Sequence, residues 1–250
     1  MNRILIIDIE SYLYKAITNC KTLVRLNNKS NVFIEGYDLD KGISYIQEQV
    51  NRLCFELGAK DYILVVGDKD NFRKELNPMY KAQRQPKPQM YFELYKEANK
   101  QFGFTYLKNL EGDDTCRILY EDKNFAPDKE KIIVSIDKDF FTVPCKFYRD
   151  LPNNEGVVTI SKKEAEQNLF KQIITGDTAD NYKGIPSCGV KFVEDFWKSH
   201  NNVVNAADVL ELFKSKGLTA NDYIMNKCMA RIVGIKQYNF ETGKVDLTKE

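Results

Sequence analysis

The stretch Leu110-Glu111-Gly112-Asp113-Asp114-Thr115 places three carboxylates within four residues, directly before a helical pattern that begins at Thr115. Two like charges about 4 Å apart repel by roughly 4 kcal/mol at an effective dielectric constant near 20, so a fold tolerates such a group where a cation binds. The helix macrodipole at this position offsets part of the repulsion, and a solvated acidic helix cap is therefore the alternative for this stretch alone. Acids elsewhere in the chain decide between a cation site and a helix cap.

Acidic residues also follow three buried, strand-like apolar runs. They are Asp8 after residues 4–7, Asp68 after residues 62–66, and Asp137 after residues 132–136. In open α/β sheets ligands bind at the carboxyl edge of the strands, and acids at this many strand ends favour a shared site over isolated turn residues. Oxygen ligands without His or Cys suit Mg²⁺ or Mn²⁺ rather than zinc, so the sequence predicts a metal site at this edge.

The fold class follows from the alternation of strand-like runs with helical patterns. It predicts an α/β protein with a mostly parallel central sheet and helices on both faces. We expect an α/β core over residues 1–170 and a helical part over residues 171–250. Asp40 is the expected N-cap of a helix that ends near residue 58, and residues 21–36 are expected to form a loop or loose hairpin. The tail from residue 237 is polar and is expected to be loosely held.

Residues 69–103 form a basic, aromatic-rich excursion between two strands. Basic side chains outnumber acidic ones from Lys69 to Lys100, and Pro86 and Pro88 separate a loop from a helix expected at about 89–101. Such a segment is typical of a surface that contacts a phosphate backbone. The alternative is an amphipathic helix that packs on the core.

The amino-acid composition limits the possible partners, catalytic mechanisms and cellular compartment of the protein. Lys and Arg total 37 against 36 Asp and Glu, so a nucleic-acid partner would have to be recognised by local charge. His200 is the single histidine, which argues against a Ser-His-Asp triad. The six scattered cysteines indicate reduced thiols, and no signal peptide or membrane-length apolar run is present, so we expect a cytoplasmic protein.

Six motifs in order resemble the 5′-nuclease family, which includes flap endonucleases, 5′–3′ exonucleases and phage ribonuclease H-like enzymes. They are Asp8; Asp68 with Phe72-Arg73 and Tyr80-Lys81-Ala82-Gln83-Arg84; Glu111-Gly112-Asp113-Asp114; Asp137-Lys138-Asp139; Gly176-Asp177 through Asp180-Asn181; and residues 184–191. The last motif resembles the family's helix–three-turn–helix DNA-binding element, expected at about 173–198. This chain has Ser187-Cys188-Gly189 where the family usually has Gly-Ile-Gly, and its arch-like insertion is short.

The resemblance implies roles for individual residues. Two ions, Mg²⁺ or Mn²⁺, would be held by a first group and a second group of acids, and K⁺ is implied at the helix–three-turn–helix. The first group is Asp8, Asp68, Glu111 and Asp113 with Asp114 close behind, and the second is Asp137, Asp139 and Asp177 with Asp180 in the outer shell. Lys81 and Arg84 would act in catalysis with Asp8 and Asp68. Substrate contacts would come from Arg73, Tyr80 stacked on a terminal base, Lys87, Gly189, Val190 and Lys191.

The implied function is a structure-specific 5′-nuclease that hydrolyses phosphodiester bonds near 5′ ends or junctions, in primer removal or repair. The implied partners are DNA or RNA–DNA with a 5′ flap, nick or free 5′ end, and replication proteins such as a single-strand-binding protein. We expect a monomer, in the host cytoplasm if the chain is phage-encoded. Two alternatives are a PIN-type metal-dependent endoribonuclease and a structure-specific DNA-binding protein whose catalysis has lapsed. The motif at residues 80–84 and the element at residues 184–191 argue against the first alternative, and the complete acid set argues against the second.

Overall fold

The computed structural model describes residues 2–25 and 33–249. In chain order its helices and strands are β1 (Arg3–Asp8), α1 (Glu10–Cys20), β2 (Lys21–Arg25), β3 (Phe33–Tyr37), α2 (Leu39–Glu56), β4 (Asp61–Val65), α3 (Phe72–Leu76), α4 (Gln89–Phe102), β5 (Phe104–Thr105), α5 (Gly112–Glu121), β6 (Glu130–Ser135), β7 (Lys146–Arg149), β8 (Val157–Thr159), α6 (Lys162–Thr175), β9 (Gly176–Asp177), β10 (Tyr182–Lys183), α7 (Val190–Ser199), α8 (Ala206–Ser215), α9 (Ala220–Ala230), β11 (Tyr238–Asn239) and β12 (Lys244–Val245). Short 3₁₀ helices cover Lys138–Thr142 and Ile235–Gln237.

A six-stranded sheet in the order β5-β4-β1-β6-β7-β8 forms the centre of the molecule. Every pair of neighbours is parallel except the antiparallel pair β7 and β8. Along β1, Leu5 and Ile7 pack against α1, α2 and α4, whereas Ile6 faces the opposite cluster with α5 and α6. Both faces of the sheet are therefore covered, which explains why its strands are continuous apolar runs. The predicted α/β fold class is confirmed.

The carboxyl end of β1 lies between those of β4 and β6. Asp8 pairs with Val65, and Ile7 pairs with Val134, so the residues that follow all three strands emerge side by side. This register carries Asp8, Asp68 and Asp137 to one edge of the sheet. Of the described residues, none lies in a helix with the length and apolar character needed to span a bilayer.

The helical part packs on a second apolar cluster, which includes Trp197 of α7 and Phe213 of α8. Gln167 joins α6 to this cluster because its Oε1 accepts from Trp197 Nε1 at 2.9 Å and from the Val204 amide at 3.0 Å. Helix α6 crosses the expected boundary near residue 170: Ala165 packs against the sheet, while Ile173 packs in the helical part. The division into two parts remains a proposal, in which α6 is shared.

Two local expectations are wrong. Asp38, not Asp40, caps α2, since its side chain accepts from the Lys41 amide. The tail is not loosely held, because its hairpin β11–β12 places Tyr238 and Val245 against the apolar cluster that contains Phe72. In the segment 21–36, β2 and β3 pair antiparallel, and residues 26–32 lie outside the described part of the chain.

Candidate active site

Asp8 is the last residue of β1 and is fixed from two sides. Ser135, at the end of β6, donates its hydroxyl to Asp8 Oδ2 at 2.9 Å, and the Glu10 amide lies 3.4 Å from Oδ1. Burial, followed by the charge of Glu10, raises the pKa of Asp8 to about 7, although the Ser135 hydrogen bond acts in the other direction. Desolvation disfavours the charged form of this carboxyl group. A nearby cation favours the charged form, so a bound cation would offset the effect of burial.

The loop that carries Asp68 is joined to the acidic stretch by backbone contacts. The Asn109 amide donates to Asp68 Oδ2 at 2.8 Å, and the Asp68 amide donates to the Leu110 carbonyl at 2.8 Å. Gly67 and Gly112 allow this approach, since a Cβ atom on Gly67 would lie 3.2 Å from the Gly112 nitrogen. A Cβ on Gly112 would in turn lie 3.6 Å from Asp8 Oδ1, so the acidic stretch begins directly beside Asp8.

Glu111, Asp113 and Asp114 each present one oxygen within 4.8 Å of the others. Burial, with the charges of Asp114 and Glu111, raises the pKa of Asp113 well above its usual value. Asp114 differs because it is fully buried and its two oxygens accept from a guanidinium and two backbone amides. Arg73 donates to them at 2.7 and 2.8 Å, the Val233 amide at 2.7 Å and the Glu111 amide at 3.1 Å. Glu111 and Asp113 are partly exposed and are thus the members of this cluster that an ion can reach, whereas Asp114 anchors the helix start.

Glu111 lies at the centre of a network of cations and hydroxyls. Lys81 Nζ is 2.5 Å from its Oε1, and Arg73 Nη1 is 3.1 Å from its Oε2. Although burial alone would raise it, the charges of Lys81 and Arg73 hold the pKa of Glu111 at about 2. Glu111 is therefore ionised across the physiological pH range.

The expected substrate contacts of Arg73 and Tyr80 are corrected by their burial. Arg73 is 1% exposed, and its guanidinium also donates to the Arg231 carbonyl at 2.6 Å. Tyr80 is 3% exposed, and its hydroxyl lies 2.9 Å from Glu111 and 3.0 Å from Asp180. Neither side chain can reach a base or phosphate, because each is enclosed and engaged with the acids.

Lys81 and Arg84 connect the basic excursion to the acid edge through Asp180. Arg84 Nη2 lies 2.5 Å and Lys81 Nζ 3.6 Å from Asp180, and the Lys81 amide donates to the Asp180 carbonyl. Lys81 has a φ of 55°, a left-handed conformation that is uncommon outside glycine and is frequent at functional sites. Both cations therefore lie directly beside the acids.

A second group of acids lies on the other side of Asp8. The Asp139 amide donates to Asp137 Oδ1 at 2.9 Å, and the Ala179 amide donates to Asp177 Oδ1 at 2.7 Å. Burial, followed by the charges of Asp137 and Asp177, raises the pKa of Asp139 to about 6, against a hydrogen bond from Gln172. The charge of Asp137 also raises the pKa of Asp8, so the two acid groups are close neighbours.

Lys87 lies beside α1 and α4, where it contacts a residue of each helix. Its Nζ lies 4.2 Å from the centroid of the Tyr91 ring and 3.7 Å from Glu10 Oε2. Tyr14 packs on Tyr91 with ring centroids 5.0 Å apart and remains 44% exposed. Tyr14, Glu10 and Ser135 are site residues that the sequence pattern did not predict. The spacing of Tyr14 four residues after Glu10, on one helix face, is the signal that could have found it.

The turn before α7 depends on close backbone contacts. A Cβ on Gly184 would lie 2.2 Å from the Ile174 carbonyl oxygen, and a Cβ on Gly176 would lie 2.0 Å from the Gly184 nitrogen. Helix α7 begins at Val190 after Gly189, and the first amides of a helix have no partner within it and attract anions. Gly189, Val190 and Lys191 are exposed, so this helix start is accessible to a phosphate backbone.

Replacing Ser187 with glycine is expected to stabilise the protein by about 1 kcal/mol, because Ser187 has a φ of 63°, which a residue with a Cβ adopts at a cost. Urea denaturation measures the change. Asn153→Gly is the matched control, with a φ of 62° at a residue type that tolerates this region, and should gain less. A loss of stability in Ser187→Gly would contradict the strain.

The metal-free protein is expected to lose stability as pH rises from about 4 to about 7. The pKa values of Asp8 and Asp139, about 7 and about 6, lie above their usual values, so the folded state holds more protons in this interval. The contribution is complete at low pH and is lost as pH passes these values. Denaturation with chelator at several pH values measures it. Asp139→Asn should flatten the profile, and an unchanged profile would contradict the assignment.

Acids gathered at a sheet edge and faced by lysine and arginine are the arrangement that metal-dependent hydrolysis of phosphodiesters uses. A family model described as "5′-3′ exonuclease, N-terminal resolvase-like domain" matches residues 3–169. The chain therefore belongs to the 5′–3′ exonuclease family, and the expectation of a 5′-nuclease is confirmed.

The chain is similar to named phage proteins. It is 31% identical over 212 residues to the exodeoxyribonuclease of Enterobacteria phage T3, a match that covers 71% of this chain and 70% of that protein. It is 30% identical over 213 residues to the exonuclease of Escherichia phage T7, with 71% and 70% covered. These matches agree with the family assignment.

Among solved structures the chain is similar to the D15 protein of T5 crystallised with metal ions. That match has a TM-score of 0.62 and 16% identity, covering 92% of this chain and 89% of the other. The T5 D15 flap endonuclease in a complex with DNA and metal ions gives a TM-score of 0.62 and 17% identity, with 92% and 89% covered. At this level of identity the likeness supports the fold.

Proposed function

We propose that the protein is a structure-specific 5′-nuclease, a 5′–3′ exonuclease or flap endonuclease, that hydrolyses phosphodiester bonds near 5′ ends or junctions of DNA or RNA–DNA. The single observation that carries the proposal is the convergence of two acid groups on one sheet edge, with Lys81 and Arg84 facing them. The names of the T3 and T7 relatives and the DNA complex of the T5 protein support DNA as the substrate.

The acids fit divalent cations. Asp8, Asp113 and Asp139 are partly buried carboxyl groups with raised pKa values, and the available donors are oxygens, a combination that suits Mg²⁺ or Mn²⁺. The first ion is assigned to Asp8, Asp68, Glu111 and Asp113, and the second to Asp137, Asp139 and Asp177 with Asp180 further out. Asp114 is reassigned from metal ligand to anchor. A pair of such ions supplies an activated water and charge stabilisation for in-line displacement.

The remaining roles belong to this chain's own side chains. Lys81 and Arg84 neutralise the scissile phosphate, and Lys87 contacts a neighbouring phosphate. The exposed ring of Tyr14 takes the base-stacking role that buried Tyr80 cannot fill. Gly189, Val190 and Lys191 bind the duplex backbone, with K⁺ proposed at the same turn. We propose a monomer that acts in the host cytoplasm on replication or repair intermediates, with replication proteins such as a single-strand-binding protein as partners.

Digestion of three labelled substrates tests the function: 5′-flap DNA, nicked duplex DNA and an RNA–DNA hybrid, each with Mg²⁺, with Mn²⁺ and with chelator. Metal-dependent release of products from the 5′ end or junction is the expected result. Cleavage restricted to internal sites of single-stranded RNA would favour the PIN-type endoribonuclease, and structure-selective binding without cleavage would favour the lapsed enzyme.

Lys81→Ala is expected to slow single-turnover cleavage by about 100-fold or more at saturating metal and substrate, because a preorganised cation at the reacting phosphate is lost. Lys100→Ala is the control, since Lys100 lies 61% exposed on α4 and pairs only locally with Glu97 among the ion pairs described. If Lys81→Ala changed affinity and left the cleavage rate intact, Lys81 would be a phosphate contact without a catalytic role.

A further inference from the structure

Two polar atoms beside the second acid group are buried without a hydrogen-bond partner among the described residues. They are the Tyr182 hydroxyl and Gln172 Oε1. Tyr182 is 5% exposed and begins β10, directly opposite Asp177 of β9. A buried polar group without a partner costs about 1 to 3 kcal/mol, and such groups in native proteins commonly bind a water or an ion.

Both side chains interact with acids of the second group. Burial, followed by the charges of Asp139, Asp177 and Asp180, raises the pKa of Tyr182 against a contact with the Gln172 amide, so its hydroxyl stays protonated and its hydrogen remains available to donate. Gln172 donates a hydrogen bond toward Asp139, which leaves its Oε1 as the unused acceptor. Asp139, Gln172 and Asp177 line one groove of about 630 Å³, which has room for a hydrated ion.

We propose that Tyr182 and Gln172 are outer ligands of the second cation site and bind the hydration shell of a divalent ion held by Asp139 and Asp177. The inference rests on the proposed function of this acid group. Small divalent cations keep several water molecules when bound, and those waters need both donors and acceptors. Tyr182 supplies a donor and Gln172 an acceptor, whereas the carboxylates supply acceptors alone. The two residues act as positioning residues for the ion.

Manganese titration of the full chain without DNA tests the proposal, with free Mn²⁺ followed by electron paramagnetic resonance. Tyr182→Phe removes only the hydroxyl and should weaken one class of Mn²⁺ sites by about 10-fold, as expected for the loss of an outer-shell partner. Without metal, Tyr182→Phe should be as stable as the wild type or more stable, because an unpaired buried hydroxyl is removed. Saturating Mn²⁺ should then stabilise the variant by about 1.4 kcal/mol less than the wild type.

Gln172→Met keeps the length of the side chain and removes its amide. It should also weaken Mn²⁺ binding, and the double variant should lose less than the sum, since both residues act on one hydration shell. Tyr148→Phe is the control: this buried tyrosine of β7 donates to Glu56, so its loss should lower stability without changing Mn²⁺ affinity.

Wild-type Mn²⁺ affinity in Tyr182→Phe, or a loss of metal-free stability without a change in affinity, would overturn the proposal and make the hydroxyl a packing feature. A different result would contradict the proposed function alone: the wild type would bind Mn²⁺ in a Tyr182-dependent way but would cut none of the three substrates.

Discussion

Arg73→Met is expected to destabilise the metal-free protein by about 3 to 5 kcal/mol, since it leaves a buried carboxylate without its counter-ion. Arg73 and Asp114 are 1% and 0% exposed, and they form a two-pronged pair at 2.7 and 2.8 Å. The same guanidinium contacts Glu111 and the Arg231 carbonyl, so it joins the acidic stretch to the residues that follow α9. Urea denaturation with chelator measures the free energy of unfolding.

Arg52→Met is the matched control. Arg52 also contacts two acids, Asp150 at 2.6 Å and Glu56 at 2.9 Å, but its side chain is 33% exposed and solvent screens the pair. We expect a loss of about 1 kcal/mol or less. In Arg73→Met with Asp114→Asn, the second change should restore part of the loss, because the unpaired charge is gone. Equal losses in Arg73→Met and Arg52→Met would contradict the structural role of Arg73.

The sheet and its acid edge could be predicted because they follow from local and general rules. Apolar runs of four to five residues become parallel strands, since the runs at residues 4–7, 62–66 and 132–136 overlap β1, β4 and β6. The carboxyl ends of adjacent parallel strands share one edge by topology, so the sequence predicts that Asp8 and Asp68 lie together. Glu111 and Asp113 join them because the acidic stretch begins a helix at the same edge.

The partners of the charged groups could not be predicted in the same way. Arg73 and Lys81 belong to one basic segment, and composition does not distinguish a cation that faces phosphate from one that neutralises a buried acid. That difference depends on Asp114, which lies 41 residues from Arg73 in the chain. Tyr80 is enclosed for the same reason, since its hydroxyl bridges Glu111 and Asp180 from two distant segments.

The C-terminal tail shows a second limit on predicting the structure from the sequence. Strands β11 and β12 have two residues each, too short for an alternating apolar pattern. Their hairpin is held by tertiary contacts, such as the Tyr238 hydroxyl to the Lys108 carbonyl at 3.1 Å. A polar composition predicts exposure only where such contacts are absent.

Asp68→Asn and Asp139→Asn are each expected to reduce single-turnover cleavage of 5′-flap DNA by about 1,000-fold or more. Each change removes a charged ligand from one of the proposed ion sites, and bound ions supply several kcal/mol of transition-state stabilisation. Affinity for the flap substrate, measured by fluorescence anisotropy, should stay near that of the wild type. Duplex binding is assigned to α7 and the basic side chains, which neither change alters.

Asp61→Asn is the control for these two variants, because it removes an acid that lies outside the proposed site. Asp61 begins β4, the strand whose carboxyl end leads to Asp68, and it pairs with Lys129 at 2.9 Å on the opposite edge of the sheet. A charge removed there is too far along the strand to act on the ions, so cleavage should remain near normal. If Asp68→Asn also kept near-normal turnover, Asp68 would not be a ligand of the first ion. The same result for Asp139→Asn would exclude it from the second, because a lost carboxylate cannot be replaced by a neutral amide without weakening the site.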